Sequence, residues 1–539
     1  MPPVDFGLHA FLLLLGLWLC TKLFSYVSRA GSLTTKLNGP PSQSRIFGLL
    51  RYRLDAPDIS TDYEEWAARY GPVFEIPVMF GAKQIMLTDP KALTHCYNSE
   101  RAVYVKTNIQ RLFIDEIFGR GVLSAEGENH KRQRKALTPA FSNAAIRRLT
   151  AVFYDSAYKL KSIWDERLES TSDGAIIEVQ EWMNRIALDS IGIAGFSHDF
   201  RYIEGQQSAV TTAFEAISVF PVLLRLPTQR MRLFWDLRSS LNVIAQRLLV
   251  RMRSEKEAGV TEELADKSII GLLMKAELAD AELHMSQEEV VAQVECPAVG
   301  WIRDNIRYVI LISRFNHNLI FFFSVSLTWA LIELAKCPEA QDKLRDDLAR
   351  FNGADPTWDQ LVSELPYLDA TVLEILRLHP PVSETLREAI YDDIIPLGTP
   401  IVTRSGETVS SDELALITVA KGSIISEPIR CINRSESFWG PDAKEFKPER
   451  WIGDITVPAK EFLGHRHLLT FHDGPRICLG KSFALAEFKA VLSVLVRNFV
   501  FEFPDGPTTK IEHHDAIVPR PKVAGQNGAK VPMKVRRVE

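Results

Sequence analysis

The chain is 539 residues long and carries 63 Lys and Arg against 68 Asp and Glu, a formal net charge of -5. So even a balance excludes a nucleic-acid binder that works through a broad basic surface, and nothing in the composition points to disorder. Length alone suggests about three domains.

Residues 6–27 read FGLHAFLLLLGLWLCTKLFSYV, long and apolar enough to cross a bilayer as one helix. No small-x-small cleavage pattern follows, which favours an anchor over a signal peptide. Lys22, Arg29 and Lys36 follow the run and Asp5 precedes it, so the positive-inside rule puts the rest of the chain in the cytosol. The six cysteines, Cys20, Cys96, Cys296, Cys337, Cys431 and Cys478, are scattered without a CxxC pair, which fits a reducing compartment. Gly39-Pro40-Pro41-Ser42 punctuates the boundary, giving an anchor and linker over 1–38.

Beyond it the pattern is mostly helical. TDYEEWAARY reads as a helix stopped by Gly71, and PVFEIPVMFGAKQIMLTD as two short strands around Gly81. Helices are predicted over 138–170, 175–194 and 229–256, and around residues 340 and 373. Over 480–498, Leu485, Phe488, Leu492 and Leu495 recur at helical spacing and predict one buried stripe. No internal repeat is visible, and the polar tail over 521–539 is expected to be loose.

Chemistry concentrates in FHDGPRICLG, residues 471–480. Gly474 and Gly480 permit tight backbone around Cys478, and the helix that follows favours negative charge at its start. A thiolate there suits a nucleophile or a metal ligand; zinc is disfavoured by the lack of other ligands at its spacing, while a distant His partner stays open. Glu374 and Arg377 stand one turn apart on a predicted helix, by themselves a surface ion pair worth a few tenths of a kcal/mol.

Phe471, Gly474, Arg476, Cys478 and Gly480 at this spacing resemble the haem-binding signature of the cytochrome P-450 family. By that resemblance Cys478 is the thiolate ligand of haem b, iron protoporphyrin IX, and pushes electron density that favours O–O cleavage. FWGPDAKEFKPERW supplies Phe446, Pro448, Glu449 and Arg450, similar to a second family signature. The resemblance then implies that Glu374, Arg377 and Arg450 form a buried charge network fixing the loop that leads to Cys478. GVLSAEGENHKRQRKALTPAFS resembles the helix over one haem face, with His130 in the place of a tryptophan and Arg134 as a propionate contact. Arg387 and Arg476 match two further propionate-binding arginines. Lys131, Arg132 and Lys135 read as a solvated basic face that steers an acidic electron donor.

These motifs must converge on one cofactor, so one catalytic domain over 39–520 is expected in place of three. The implied fold is mainly α with a small β-rich lobe near the N-terminal side, preceded by the transmembrane helix. The implied activity is hydroxylation of a lipophilic small molecule by O2. Electrons come from NADPH through the flavins of a cytochrome reductase, with cytochrome b5 as a further donor, at the cytosolic face of the endoplasmic reticulum. Residues 104–118, 218–227 and 381–386 occupy family positions that line the substrate pocket. The His130 variant resembles versions in fungal multigene families that serve secondary metabolism or detoxification.

The chain departs from the family between two normal flanks, MSQEEVVAQVE (285–295) and SVSLTWALIELAKCPEAQDKL (324–344). The family's long central helix carries Gly-x-Asp/Glu-Thr-Thr, whose acid and hydroxyl relay protons. Here CPAVGWIRDNIRYVILISRFNHNLIFFF (296–323) intervenes, longer than the pattern by roughly five turns at 3.6 residues each. Counting back from Ser324, Phe321 and Phe322 take the places of the acid and the threonine. Three readings stand: translated intron sequence, an isoform that binds haem and activates oxygen poorly, and an oxygen-independent isomerase. A second membrane span is disfavoured by Arg303, Asp304, Arg307 and Arg314.

Overall fold

The computed structural model describes residues 34–56, 58–171, 173–196, 199–206, 250, 254, 284–286, 289, 319–409, 415–514 and 519–539. In chain order its main elements are α1 Ile59–Tyr70, β1 Val73–Pro77, β2 Lys83–Leu87, α2 Pro90–Ser99, β3 Tyr104–Val105, α3 Asn108–Phe118, α4 Gly127–Leu137, α5 Asn143–Glu169, β4 Ala175–Glu178 and α6 Val179–Phe196. Then follow α7 Leu319–Lys336, α8 Pro338–Ala349, α9 Pro366–Leu378, β5 Thr385–Ala389, β6 Asp393–Leu397, β7 Ile401–Val402, β8 Thr408–Val409, β9 Ala415–Val419 and β10 Ile424–Glu427. The chain closes with α10 Lys481–Asn498, β11 Phe499–Glu502, β12 Ile511–His514, β13 Arg520–Val523 and β14 Pro532–Arg537.

Helix starts follow capping chemistry. Asp58 accepts from Ser60 N at α1, Asp89 from Ala92 N at α2 behind Pro90, and Ser142 from Ala145 N at α5. Gly71 ends α1 at φ 97°, a value that favours glycine.

The chain forms two compact units, one with residues up to Thr107 and Glu384–Ile432, the other with Asn108–Ser383 and Asn433–Glu539. The first is built on a five-stranded sheet in the order β1-β2-β10-β5-β3. The predicted strands around Gly81 are β1 and β2, antiparallel with Val73 opposite Leu87. Leu49, Tyr63, Phe74, Ile76, Met86 and Cys431 pack together in this unit.

The second unit is mainly helical. Trp164 of α5 meets Trp182, Phe499 and Phe501 edge-on, with ring centroids 6.4, 5.3 and 6.2 Å away. α10 is buried all round from Ala486 to Val496, not along a single stripe, and so carries Glu487 and Lys489 into the core. Lys489 reaches Leu361 O at 2.8 Å and Asp369 at 2.7 Å. Burial pushes the Glu487 carboxyl well above its ordinary range.

Three expectations need correction. The helix predicted over 138–170 begins at Asn143, after a 3-10 turn over Thr138–Phe141 that contains Pro139. The helix predicted over 175–194 opens as strand β4, because Ala175–Glu178 pairs with β14 from Val535 to Pro532. The tail over 521–539 is not loose: β14 is the middle strand of a β11-β14-β4 sheet, with Met533 and Val535 fully buried. Sequence polarity concealed this because only alternate residues of β14 face the core.

Among the described residues no helix is long and apolar enough to cross a membrane, and residues 6–27 lie outside them. The helix predicted over 229–256 also lies outside them, apart from residues 250 and 254.

Candidate active site

Cys478 stands in the short connection between a 3-10 turn over Gly474–Arg476 and α10. Its N–H donates to Phe471 O at 2.8 Å, closing the loop on itself, and Gly474 takes φ 64° in the turn. Burial raises the thiol above its ordinary pKa, while the Gly480 N–H, Arg134 and Lys481 pull it down.

The network behind this loop is closed. Arg377 grips Glu374 with two parallel bonds of 2.8 Å, both side chains at 0% exposure. Its remaining donors go to Asn433 O at 2.9 Å, Ala443 O at 2.5 Å and Glu445 O at 3.2 Å, so all five N–H groups of the guanidinium are used. The Trp439 ring lies 5.3 Å from its central carbon. A pair that in isolation reads as a surface contact is the most deeply buried charge pair among the described residues.

Glu374 also accepts from Lys447 N at 3.0 Å and Trp451 Nε1 at 2.9 Å. Arg450 joins it only loosely, at 3.5 Å. Its close partners are Asp442 Oδ1 and Asp442 O, both at 2.9 Å, and Trp439 O at 3.1 Å. Lys447 and then Arg450 hold the Asp442 carboxyl down at about 2. Asp442 and Trp451 are members the spacing argument missed, although both stand inside the quoted FWGPDAKEFKPERW.

Two more missed residues carry the network to the loop. Asn433 donates its side-chain amide to Thr470 Oγ1 at 2.9 Å, and the Thr470 hydroxyl donates to Leu376 O at 2.7 Å. Thr470 directly precedes Phe471, whose carbonyl receives Cys478 N–H.

His130 and Arg134 occupy α4 one turn apart, with His130 only 4% exposed. Arg476 donates to Ala125 O at 3.2 Å and is paired with Glu126 at the start of the same helix. Arg387 belongs to the first unit, on β5, where its Nε donates to Glu100 at 2.6 Å. In that unit Glu384, part of the predicted pocket segment 381–386, is consumed by Arg53 at 3.1 Å, Gln84 at 2.9 Å and Tyr63 at 3.2 Å. It acts as an internal tie of this unit. Residues 218–227 lie outside the described residues.

The solvated face predicted on α4 holds for Lys131 and Lys135 and fails for Arg132. Arg132 pairs with Glu289 at 2.5 Å, and Gln133 donates to the same carboxylate at 3.0 Å. Glu289 closes a capping box with Ser286, through Glu289 N to Ser286 Oγ at 3.2 Å and Ser286 N to Glu289 Oε2 at 2.9 Å. Ser286 and Glu289, in the flank before the insert, are therefore seated on α4. Of the insert itself only residues 319–323 are described, as the first turn of α7; Phe323 meets Phe488 edge-on at 6.3 Å. A cleft of about 900 Å³ beside α3 and α4 is lined by the charged Arg111, Asp115, Arg120, Glu126 and Glu289 together with Leu112 and Ala125.

The family model for cytochrome P-450 matches residues 38–296 and 323–524, and its unmatched middle coincides with the insert. The chain is 53% identical to cytochrome P-450 monooxygenase claP of Ampulloclitocybe clavipes over 99% of its own length and 98% of that protein's. It is 52% identical to claQ of the same fungus, over 97% of both chains. Cytochrome P-450 monooxygenase 205 of Postia placenta shares 33% identity over 94% of this chain and 93% of its own. On these matches the chain belongs to the cytochrome P-450 family.

Proposed function

We propose that the chain is a haem-thiolate monooxygenase that hydroxylates a lipophilic small molecule, using O2 and electrons passed from NADPH by a flavoprotein reductase. One observation carries the reading: the single thiol of the Phe471–Gly480 loop, with the Glu374–Arg377 network behind it through Asn433 and Thr470. The donor set suits a haem. Cys478 offers sulfur, the Gly480 N–H and the charges of Arg134 and Lys481 favour its anion, and haem iron would bind that anion. Bound haem supplies the redox chemistry at oxygen. Arg134, Arg387 and Arg476, with His130, are the proposed contacts for its propionates. The chain's own work is to fix the sulfur, orient the substrate and exclude water. Residues 6–27 would hold it on the cytosolic face of the endoplasmic reticulum, within reach of the reductase and of cytochrome b5. A role in secondary metabolism is proposed from the His130 variant, and the fungal relatives are named monooxygenases.

A second reading is favoured by the sequence between Glu295 and Ser324, which lacks the Gly-x-Asp/Glu-Thr-Thr relay. A chain of this kind binds haem and turns over poorly, or serves a reaction that needs no oxygen activation, such as an isomerisation. The insert reads best as translated intron sequence, since both flanks keep the family pattern.

The test is to express this chain and a version with the relay restored, each with a reductase, and to compare hydroxylated product against NADPH consumed. Product from the restored chain alone supports the intron reading. Equal turnover by both overturns it, and turnover by neither overturns the monooxygenase. Cys478→Ser should abolish the thiolate spectrum of the carbon monoxide complex in both versions.

A further inference from the structure

The 3-10 turn over His465–His467, just before the Cys478 loop, is held against backbone preference. Arg466 and His467 take φ 53° and 66°, the left-handed region that residues with a Cβ rarely adopt. Such conformations cost free energy and persist only where the surroundings hold them. Here the turn is closed by Leu468 N–H to His465 O at 3.1 Å and by His467 Nδ1, which lies 3.0 Å from Phe462 O. What it presents is the half-buried His465, whose ring stands edge-on to Phe471 with centroids 6.0 Å apart. Phe471 is the residue whose carbonyl receives Cys478 N–H.

The other side of the His465 ring chemistry is Lys481, the first residue of α10. Lys481 Nζ lies 3.5 Å from His465 Nδ1. An ammonium can only donate, so Nδ1 accepts and the neutral ring keeps its proton on Nε2. Burial, then Lys481 and Arg466, disfavour a charged ring at this place. Among the described residues no carboxylate pairs with Lys481. Asp369, the carboxylate that acts on His465, is taken by Lys489 at 2.7 Å and by Arg466 at 3.5 Å. A carboxylate in the place of His465 would hold the ammonium and cancel its charge. A neutral imidazole holds it and leaves the charge whole. That charge acts on Cys478, one turn back, where Lys481 N–H also reaches Cys478 O at 3.4 Å.

We propose that His465 is a positioning residue: it holds the Lys481 ammonium beside the Cys478 loop, and that uncancelled charge raises the reduction potential of the haem bound there. The inference rests on the haem-thiolate reading of Cys478. A thiolate haem gains one negative charge on reduction, so a cation fixed on the sulfur side favours the reduced form. Left to itself, a lysine on the first turn of a helix would carry its ammonium into water, where the same charge is screened.

The test is a mediator titration of the haem midpoint in the full, haem-loaded chain, with no reductase present. In Lys481→Met the ratio of reduced to oxidised haem at a fixed potential should fall several-fold, each tenfold being about 59 mV for one electron. His465→Leu should shift it the same way. Lys481→Arg keeps the charge and His465→Gln keeps an acceptor, so both should stay close to the parent chain. His465→Leu added to Lys481→Met should move the midpoint no further, because the two act through one charge. If these variants lower only the melting temperature or the thiolate fraction, and the remaining thiolate haem keeps its midpoint, the inference is overturned and the pair is merely structural. An unmoved midpoint with slower reduction by the reductase assigns Lys481 to docking and overturns it as well. A parent chain with no thiolate spectrum in its carbon monoxide complex sinks the haem-thiolate reading and the inference with it, whereas a thiolate spectrum with unmoved midpoints sinks the inference alone.

Discussion

Asn433 is held at both ends: Arg377 binds its main-chain carbonyl at 2.9 Å, and its own side-chain amide binds Thr470 Oγ1 at 2.9 Å. This is the direct mechanical link between the buried Glu374–Arg377 pair and the loop that carries Cys478. At 1% exposure it has no solvent to replace a lost partner. Asn433→Leu should therefore cost about 1–3 kcal/mol, with Thr470→Val similar. The double variant should cost less than the sum, because both break one bond. Thermal melts give the stability, and the carbon monoxide spectrum should show a larger non-thiolate fraction in each variant.

Arg377 and Arg450 should differ in severity. Arg377→Ala strands the fully buried Glu374 carboxylate, a loss of about 3–5 kcal/mol that leaves little folded protein. Arg450→Ala removes a 3.5 Å contact to Glu374 and frees the partly exposed Asp442, for about 1–2 kcal/mol. Soluble yield and melting temperature check the order, and equal loss would show Arg450 to be a full member of the buried pair.

Acid should weaken the same region through His465. Burial, then Lys481 and Arg466, hold its imidazole down at about 4, and Lys481 Nζ lies 3.5 Å from its Nδ1 as a donor to the neutral ring. The unfolded chain takes up that proton near 6.5, the folded chain only near 4, so between these values the unfolded state binds more protons. The stability is complete above about pH 6.5 and is lost as pH falls toward 4, by up to about 3 kcal/mol. His465→Gln should flatten the difference between urea melts at about pH 7 and about pH 5.

Deleting 532–539 removes β14, the partner of both β4 and β11, and with it the buried Met533 and Val535. The loss is on the order of 5 kcal/mol from the two side chains alone, so the truncated chain should be insoluble. A soluble, haem-loaded truncation would return the tail to the status of an appendage.

What could be read in advance was local. The Cys478 loop and the Glu374–Arg377 pair declare themselves by spacing within a few residues, and α9 and α10 by helical period. Asn433 and Thr470 could not be found this way, because a lone amide in CINRSES and a lone hydroxyl before Phe471 acquire meaning only when chain segments tens of residues apart are brought together. Arg132 looked solvated for the same reason: Glu289, its partner, is remote in sequence. β4 was read as helix because AIIE is too short to show a period of its own, and its pairing with β14 outweighs local propensity.

The place of β14 also sets an order of assembly. Synthesis reaches it only after β4 and β11, yet it stands between them. The three-stranded sheet of the second unit must wait for Pro532–Arg537 to emerge, whereas every strand of the first unit's main sheet has already been made by Glu427. Until then β4 and β11 are unpaired edges on a nascent chain, and the cell has to shield them.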